Sequence, residues 1–282
     1  MESELYCGDT IEVMRTLPDK SVDMVLCDLP YGTTAQAWDK CIDMDALWTE
    51  YARILAPRGT IALFCVQPFT SELVKHGKAG GVKWRYMWVW IKNTATGAGN
   101  AHKQPMRRYE EIAVFGRGVG KYNPQGLRKL DEPRTNAPRA AGVYRKGTKT
   151  IVQEYKGYPS NVLQYDAVCQ TRRKHPNEKP VELLRYLVRT YTDTGDVVLD
   201  NTMGSGSTCV AAALEGRRYV GIERDARYYE IACARVAAVK EEYDEREGAA
   251  GVSMADPGDR TRERQAGEMQ EGRGQGGDRG DH

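Results

Sequence analysis

Short apolar runs alternate along this chain with segments whose apolar residues recur at helical spacing. Six runs rich in β-branched and aromatic residues predict strands at residues 21–27, 60–66, 84–91, 109–115, 196–200 and 218–223. Amphipathic patterns predict helices at residues 45–55, 180–191, 207–216 and 226–240. Strands that alternate with helices predict an α/β fold with a mostly parallel, twisted sheet. Ligands of such sheets bind at the carboxyl ends of the strands.

Length and composition exclude several classes of protein. The 282 residues suit one large α/β domain or two small ones. The mean hydropathy is −0.62 and no apolar run approaches the roughly 20 residues of a spanning helix, so we expect no membrane partner. The start MESELYCGDT lacks a secretory pattern, which favours a cytoplasmic protein. The seven cysteines contain no CxxC pair, so we expect neither a disulfide framework nor a metal site, but small buried side chains.

The net charge of +2 is an average over four different segments. Residues 1–96 carry 10 basic and 12 acidic residues, and residues 176–240 carry nine of each. Residues 97–175 carry 16 basic and 6 acidic residues, a net of +10, whereas residues 241–282 carry 6 and 12, a net of −6. This last segment has nine glycines and no Leu, Ile, Phe or Trp, so we predict a disordered tail.

A glycine-containing loop follows the predicted strand at residues 196–200. Gly204 and Gly206 allow a tight turn, and the helix that begins at Ser207 offers free N–H groups to an anion. The loop lacks the Gly-Lys-Thr of a phosphate-binding loop and the third glycine of a dinucleotide fingerprint, so a carboxylate-bearing ligand fits better. Glu223 ends the next strand, where an acid can bind a ribose diol. A plain tight turn with a surface acid is the alternative.

A second loop, Asp28-Leu29-Pro30-Tyr31, follows the strand at 21–27. The exocyclic amine of a nucleobase is a poor nucleophile because its lone pair is delocalised into the ring. A carboxylate and a backbone carbonyl that accept from this amine stabilise the positive charge that grows as it attacks a methyl sulfonium. Tyr31 offers a flat face to a base that has been flipped out of the duplex. The alternative is an ordinary turn in which Asp28 caps a helix and Tyr31 packs at its rim.

Several motifs in the same order make the chain resemble the amino-methylating DNA methyltransferases of the β arrangement. These motifs are LYCGDTIEVMRTLPDKSVDMVLCDLPYGTT, GNAHKQPMRRYEEIAVF with YNPQG, HPNEKPVELLRYLVRTYTDTGDVVLDNTMGSGST and RRYVGIERD, and they lie within residues 4–240. The resemblance implies a Rossmann-like methyltransferase fold that uses S-adenosylmethionine. It assigns residues 1–96 to the catalytic half, 97–175 to an inserted target-recognition region with a core strand near 109–115, and 176–240 to the cofactor half.

The resemblance also assigns roles to single residues. It places Asp28, Pro30 and Tyr31 in the catalytic loop and Glu223 on the ribose of the cofactor. Asp9 is expected at the cofactor adenine and Lys179 at its carboxylate. The residues expected around the methionine part of the cofactor are Asp200, Met203, Gly204, Gly206, Ser207 and Thr208. Leu29 stands where the family commonly has Pro, and the run Asn201-Thr202-Met203 stands where it commonly has Pro-Phe-Ala, so we expect the packing on the adenosine to differ from that of the commoner enzymes.

Family members with Asp at the first position of the catalytic motif usually methylate adenine N6, so Asp28 favours adenine over the alternative, cytosine N4. Cytosine C5 methylation is discounted because no Pro in the chain precedes a Cys. The basic region predicts double-stranded DNA as the substrate, with Arg107, Arg108, Arg172 and Arg173 as candidate DNA contacts.

The resemblance is to enzymes of the phage and restriction-modification type, and leaves open a homodimer and a cognate restriction endonuclease as partners. Two rivals from other classes are weaker: a non-catalytic DNA-binding module would not need the two loops, and a nucleotide-dependent oxidoreductase would not need the Asp28 motif. Methylation of RNA or of a protein amide is a nearer rival, although a protein-amide enzyme would favour Asn at the position of Asp28.

Overall fold

An eight-stranded sheet with helices on both faces forms the core of the described part of the chain. The computed structural model describes residues 1–30, 42–136 and 151–252. The strands are β1 (Glu4–Cys7), β2 (Val22–Asp28), β3 (Leu55–Cys65), β4 (Lys83–Thr96), β5 (Arg107–Gly116), β6 (Arg128–Asn136), β7 (Ile151–Lys156), β8 (Val162–Gln164), β9 (Val197–Asp200) and β10 (Arg218–Glu223). The helices are α1 (Thr10–Thr16), α2 (Met44–Ile54), α3 (Phe69–Ala79), α4 (Val181–Tyr191), α5 (Ser207–Leu214) and α6 (Ala226–Val252).

The strand order in the large sheet is β1-β10-β9-β2-β3-β5-β4-β8. The five strands from β1 to β3 in this order are all parallel, β5 runs antiparallel to β3 and β4, and β8 is parallel to β4. The predicted α/β fold with a mostly parallel sheet is therefore confirmed. Crossovers between parallel strands place α1 and α2 on one face of the sheet and α4 and α5 on the other.

Both faces of the sheet are buried, which explains the continuous apolar runs of its strands. Along β2, Met24 and Leu26 pack on the face covered by α4, α5 and α6, whereas Val25 and Cys27 pack on the face covered by α1, α2 and α3. The two-residue period of the strand thus feeds two separate cores. All four side chains have 1% or less of their surface exposed, so β2 is a rigid support for the loop that follows it.

The predicted elements agree with the structure where apolar periodicity is strong. Strand β10 has the predicted bounds, α4 begins one residue later than predicted, and α2 and β2 are displaced by one residue at both ends. Strand β3 begins five residues early, because Leu55 pairs with Val22 before a register shift. The periodicity did not reveal β1, α1, α3 or the strands β6, β7 and β8. Helix α1 carries a readable signal, since Asp9 caps it and Glu12 follows three residues later.

The basic region 97–175 contributes to the large sheet and also forms a separate pair of strands. Its predicted core strand is β5, and β8 adds a second one at the sheet edge. Strands β6 and β7 pair antiparallel as a two-stranded sheet of their own. The region is thus partly scaffold and partly an exposed basic hairpin.

Helix α6 extends past the predicted start of the tail. The chain divides into two units, residues 1–240 and residues 241–282. In the second unit, residues 241–252 are helical, where the composition predicts disorder from residue 241. Glu, Arg and Ala are good helix formers, so propensity continues the helix without a core. Residues 253–282 lie outside the described residues. Within the described ranges, no helix is long and apolar enough to cross a membrane.

Candidate active site

A cavity of about 530 Å³ lies where the carboxyl ends of the adjacent parallel strands β1, β10, β9 and β2 meet. Ten of the twelve residues predicted for catalysis and cofactor binding line it: Asp9, Asp28, Pro30, Lys179, Asp200, Met203, Gly204, Ser207, Thr208 and Glu223. Tyr31 lies outside the described residues. The two loops that the sequence singles out begin 172 residues apart in the chain, at Asp28 and Asp200, and share one cavity.

The glycines of the loop after β9 meet two different requirements. Gly204 has a φ of +52°, and a Cβ there would lie 3.2 Å from the ring of His175. Its N–H donates to Glu223 Oε2 at 2.9 Å, which fixes the loop to the end of β10. Gly206 has a φ of +79°, and a Cβ would lie 2.8 Å from Cβ of Ala232 in α6. Gly206 allows α5 and α6 to approach each other closely. It does not line the cavity, and its contact with the cofactor stays a prediction.

Two acids that line the cavity, Asp200 and Glu223, have pKa values above their ordinary values. Burial raises the pKa of Asp200 to about 7, even though Thr208 and the N–H of Thr202 donate to its carboxyl group. Burial also raises the pKa of Glu223, whose oxygens accept from the N–H groups of Gly204 and Asp225. Near neutral pH, Asp200 is therefore divided between its neutral and ionised forms.

A buried hydrogen-bond network around Asn201 joins the two loops to the scaffold. Asn201 Oδ1 accepts from the hydroxyl of Tyr51 at 2.7 Å and from the thiol of Cys27 at 3.2 Å. Its amide nitrogen donates to Thr10 Oγ1 at 3.1 Å. Next in the chain, Thr202 Oγ1 donates to the backbone carbonyl of Asp28 at 3.1 Å. Satisfied buried polar groups of this kind hold one geometry, so the end of β2 and the loop after β9 are fixed to each other.

The carboxylate of Asp28 forms an ion pair with Lys179. Lys179 Nζ lies 2.6 Å from Asp28 Oδ2 and 3.2 Å from Glu110 Oε2, and 5.0 Å from the centre of the Phe64 ring. Burial would lower the pKa of Lys179, but the two carboxylates outweigh it and hold that pKa above its ordinary value. The sequence predicts Lys179 at the cofactor carboxylate; the structure pairs it with two protein carboxylates, and the cofactor contact stays a prediction.

Arg235, which no sequence motif indicated, holds the loop after β9 through several hydrogen bonds. Its guanidinium donates to the carbonyl and hydroxyl oxygens of Ser205, both at 2.8 Å, and to Ser207 Oγ at 3.1 Å. The same group pairs with Glu178 at 3.0 Å. In the sequence, Arg235 is one polar position of an amphipathic helix, so its role depends on the packing of α6 against the loop.

His175 and Tyr228 pack together at the side of the cavity. Their ring centres are 4.3 Å apart and the planes are nearly perpendicular. Burial lowers the pKa of His175 to about 4, so the imidazole is neutral at physiological pH. Both side chains line the cavity, and a neutral ring pair gives this wall a partly apolar surface.

The four predicted DNA contacts have different surroundings. Arg107 and Arg172 are exposed. The Arg108 side chain donates to the carbonyl of Lys92. Arg173 donates to the carbonyls of Val168 and Pro176 and thereby ties together the segment before α4. The exposed basic side chains of the β6–β7 hairpin, Arg128, Lys129, Arg134 and Lys156, are further candidates.

The fold and this site match a known family. The model of the N6/N4 DNA methylases, described as DNA methylase, matches residues 22–234. The chain belongs to this family of DNA methyltransferases, which depend on S-adenosylmethionine. The resemblance read from the motifs is thereby confirmed.

Among similar proteins, the putative methylase YubD of Escherichia coli K12 is 47% identical over 247 residues, which cover 84% of this chain and 92% of YubD. The DNA adenine methyltransferase YhdJ of the same organism is 27% identical over 244 residues, which cover 81% of each chain. The crystal structure of the M1.HpyAVI–SAM complex is similar in fold, with a TM-score of 0.60, 22% identity and coverage of 83% of this chain and 98% of that one.

Proposed function

We propose that the protein transfers the methyl group of S-adenosylmethionine to the exocyclic N6 amine of a flipped adenine in double-stranded DNA. The observation that carries this proposal is the position of Asp28, whose paired carboxylate lines the same cavity as the loop at 200–208 and Glu223. The name of YhdJ as a DNA adenine methyltransferase supports the choice of adenine.

The residues around the cavity fit this cofactor. Each oxygen of Glu223 accepts one backbone N–H, which leaves acceptor capacity for a ribose diol. The first turn of α5 offers N–H groups, and Ser207 and Thr208 offer hydroxyls, to the methionine carboxylate. Asp200 lies deep in the cavity within reach of a cationic amino group, which would draw its carboxyl group into the ionised form. The cofactor supplies an electrophilic methyl group on a sulfonium.

The protein's contribution to the reaction is made at Asp28 and Pro30. The Asp28 carboxylate and a backbone carbonyl at Pro30 would each accept a hydrogen bond from the amine and so stabilise the positive charge that grows on its nitrogen. Overall the N–C bond forms, the bond between the methyl group and the sulfonium sulfur breaks to leave S-adenosylhomocysteine, and the methylated amine loses one proton. Thr202 donates to the carbonyl of Asp28 and so fixes the backbone that presents the carboxylate. Tyr31 is proposed to stack on the flipped base. Base contacts within the DNA site are proposed for the basic region 97–175.

Cytosine N4 is the second candidate base, since the family contains enzymes for both amines. Its amine needs the same two acceptors, so the geometry of Asp28 alone does not separate the bases. A non-catalytic DNA-binding module is disfavoured, because it would not require an ion-paired carboxylate facing a cofactor loop.

Expression in a bacterial host without DNA methylation, followed by single-molecule sequencing, tests the proposal. We expect methyl-adenine at one short sequence and none with Asp28→Ala, whose cofactor affinity should stay close to that of the wild type. Methyl-cytosine would establish the second candidate, and full activity of Asp28→Ala would overturn the assignment. A homodimer, a cognate restriction endonuclease and a cytoplasmic location stay predictions, the first testable by light scattering.

A further inference from the structure

A row of four alternating charges leads from the interior of the sheet to the catalytic loop. Lys92 Nζ lies 3.0 Å from Glu110 Oε1, and Glu110 Oε2 lies 3.2 Å from Lys179 Nζ. Lys179 in turn lies 2.6 Å from Asp28 Oδ2. The four residues come from β4, β5, the segment before α4 and the end of β2. Glu110 uses one oxygen for each lysine and is the bridge of the row.

The row is buried at Lys92 and largely buried at the other three residues. The exposed fraction of the side chain is 6% for Lys92, 19% for Glu110, 12% for Lys179 and 16% for Asp28. A single buried ion is costly, whereas two cations and two anions in alternation leave no net charge. Removal of one member therefore changes the protonation or position of its neighbours, and the row behaves as one electrostatic unit.

Lys92 and Glu110 do not line the cavity. Among the described residues, Glu110 contacts the site through Lys179, and Lys92 contacts it through Glu110. Aromatic rings pack beside the row, since Lys179 lies over Phe64 and Lys92 lies 5.8 Å from the centre of the Trp90 ring. These walls limit where the Lys179 ammonium can move, and the carboxylate of Glu110 fixes it on the side toward Asp28.

We propose that Glu110, anchored by Lys92, is a positioning residue for methyl transfer: it keeps the Lys179 ammonium on the Asp28 carboxylate while that carboxylate accepts the amine of the base. The inference rests on the proposed function, since it assumes that Asp28 contacts the amine. It does not depend on which base carries that amine. Lys179 keeps Asp28 an acceptor, and Glu110 keeps Lys179 charged.

The pKa shifts of Glu110 and Lys179 agree with a chain of effects that runs from Glu110 through Lys179 to Asp28. Burial would raise the pKa of Glu110, but Lys179 and Lys92 outweigh it and hold that pKa below its ordinary value. Glu110 and Asp28 together hold the pKa of Lys179 above its ordinary value against burial. Loss of the Glu110 charge should therefore let Lys179 lose its proton at a lower pH.

Other titratable groups also sense the two ends of the row. They are Asp200, His175, Cys27 and Cys65. Asp28 raises the pKa of Asp200, Cys27 and Cys65, and Lys179 lowers that of His175. These four groups are present in the wild type and in both variants compared below. A difference in pH profile between the variants is therefore due to the loss of the Glu110 carboxylate.

The test is the pH dependence of kcat for methyl transfer in Glu110→Gln, with Glu111→Gln as the matched control. Glu111 is the next residue of β5 and accepts instead from Thr70 Oγ1 at 2.6 Å. For Glu110→Gln we expect the alkaline limb of the profile to move to lower pH by about one unit, so that kcat falls roughly tenfold relative to wild type on that limb. At pH 8, where Lys179 keeps its proton in both proteins, kcat and KM for S-adenosylmethionine should stay within about twofold of wild type. Glu111→Gln should keep the wild-type limb.

A second measurement follows the lysine itself. In protein labelled with ¹³C at lysine Cε, the Lys179 resonance, assigned with Lys179→Arg, should titrate at lower pH in Glu110→Gln than in wild type or Glu111→Gln. A wild-type alkaline limb in folded Glu110→Gln, or a limb that moves equally in both variants, would overturn the inference. Failure of the proposed function is distinct, since the wild type would then methylate neither base.

Discussion

Arg235 and Glu178 form an ion pair of 3.0 Å that joins helix α6 to the segment leading into α4. The same guanidinium holds Ser205 and Ser207 of the cofactor loop. Three segments that surround the cavity thus depend on one side chain. Glu178 is buried, with 6% of its side chain exposed, so it needs this partner.

Arg235→Lys should weaken cofactor binding more than it weakens the fold. A lysine cannot reproduce the several donors of a guanidinium, so the loop at 205–207 loses part of its support. We expect the Kd for S-adenosylmethionine, measured by calorimetry, to rise about tenfold, or roughly 1.4 kcal/mol. Arg15→Lys is the control, because Arg15 is exposed in α1 and does not line the cavity. Equal effects of the two variants would contradict this role of Arg235.

Asp200 should make the unbound protein less stable as the pH rises. Its pKa is about 7 in the fold against 3.8 in the unfolded chain, because burial favours the neutral form. A raised pKa gives stability that is complete below pH 3.8 and is lost as the pH rises through about 7. Urea unfolding at a series of pH values should show a loss of roughly 2–4 kcal/mol across this window.

Asp200→Asn should remove most of that pH dependence and be more stable than wild type at pH 8 in the absence of cofactor. The exposed Asp131→Asn of β6 serves as the control and should keep the wild-type slope. An unchanged slope in Asp200→Asn would mean that the carboxyl group is already ionised in the unbound protein. The same variant should bind S-adenosylmethionine weakly, because a neutral amide cannot pair with its amino group.

The β6–β7 hairpin should supply contacts to DNA phosphates. Arg128 and Lys156 are directly opposite in the register of this pair, and like charges opposite each other destabilise a sheet unless an anion lies between them. Arg128→Gln and Lys156→Gln should each weaken binding to any duplex and reduce the slope of log K against log salt by about one. Lys75→Gln, at an exposed site in α3, should leave the slope unchanged.

Most of the negative charge of the C-terminal segment lies in the helical part. Residues 241–252 carry five acidic residues and one basic residue, whereas residues 253–282 carry seven and five. If this charge competes with DNA for the basic surface, truncation after Lys240 should tighten low-salt binding to random duplex. Truncation after Val252 should do so less, because it removes a net charge of −2 instead of −6. Fluorescence anisotropy measures both, and equal affinities would exclude the competition.

Sequence patterns predicted the elements that bury apolar residues at a clear period. Strand β10 is an example, because four of its six residues are buried in the middle of the sheet. The short strand β1 has no buried residue, so its sequence shows no apolar run from which a strand could be predicted. The loops of the candidate site were predicted from their position after strands. Ten of the twelve residues predicted for the site, Asp9 and Lys179 outside the loops among them, line one cavity.

The side-chain partners behind the loops could not be predicted. Glu110 and Lys92 meet because β4 and β5 pair with Trp90 opposite Glu110, a register that no local pattern sets. In the sequence, Glu110 and Glu111 are two adjacent acids of a strand with nothing to separate them. Adjacent residues of a strand point to opposite faces of the sheet. In the folded protein Glu110 therefore contacts Lys179, whereas Glu111 contacts Thr70.

Thr202 and Asp28 are hydrogen-bonded neighbours although 174 residues separate them in the chain. The strands that carry them, β9 and β2, are adjacent in the sheet, and the connections between them run elsewhere. A chain in which the cofactor segment came before the catalytic segment could therefore build the same cavity with the same strand neighbours. The order of the two motifs is a property of chain connectivity, while the chemistry depends on adjacency in the sheet.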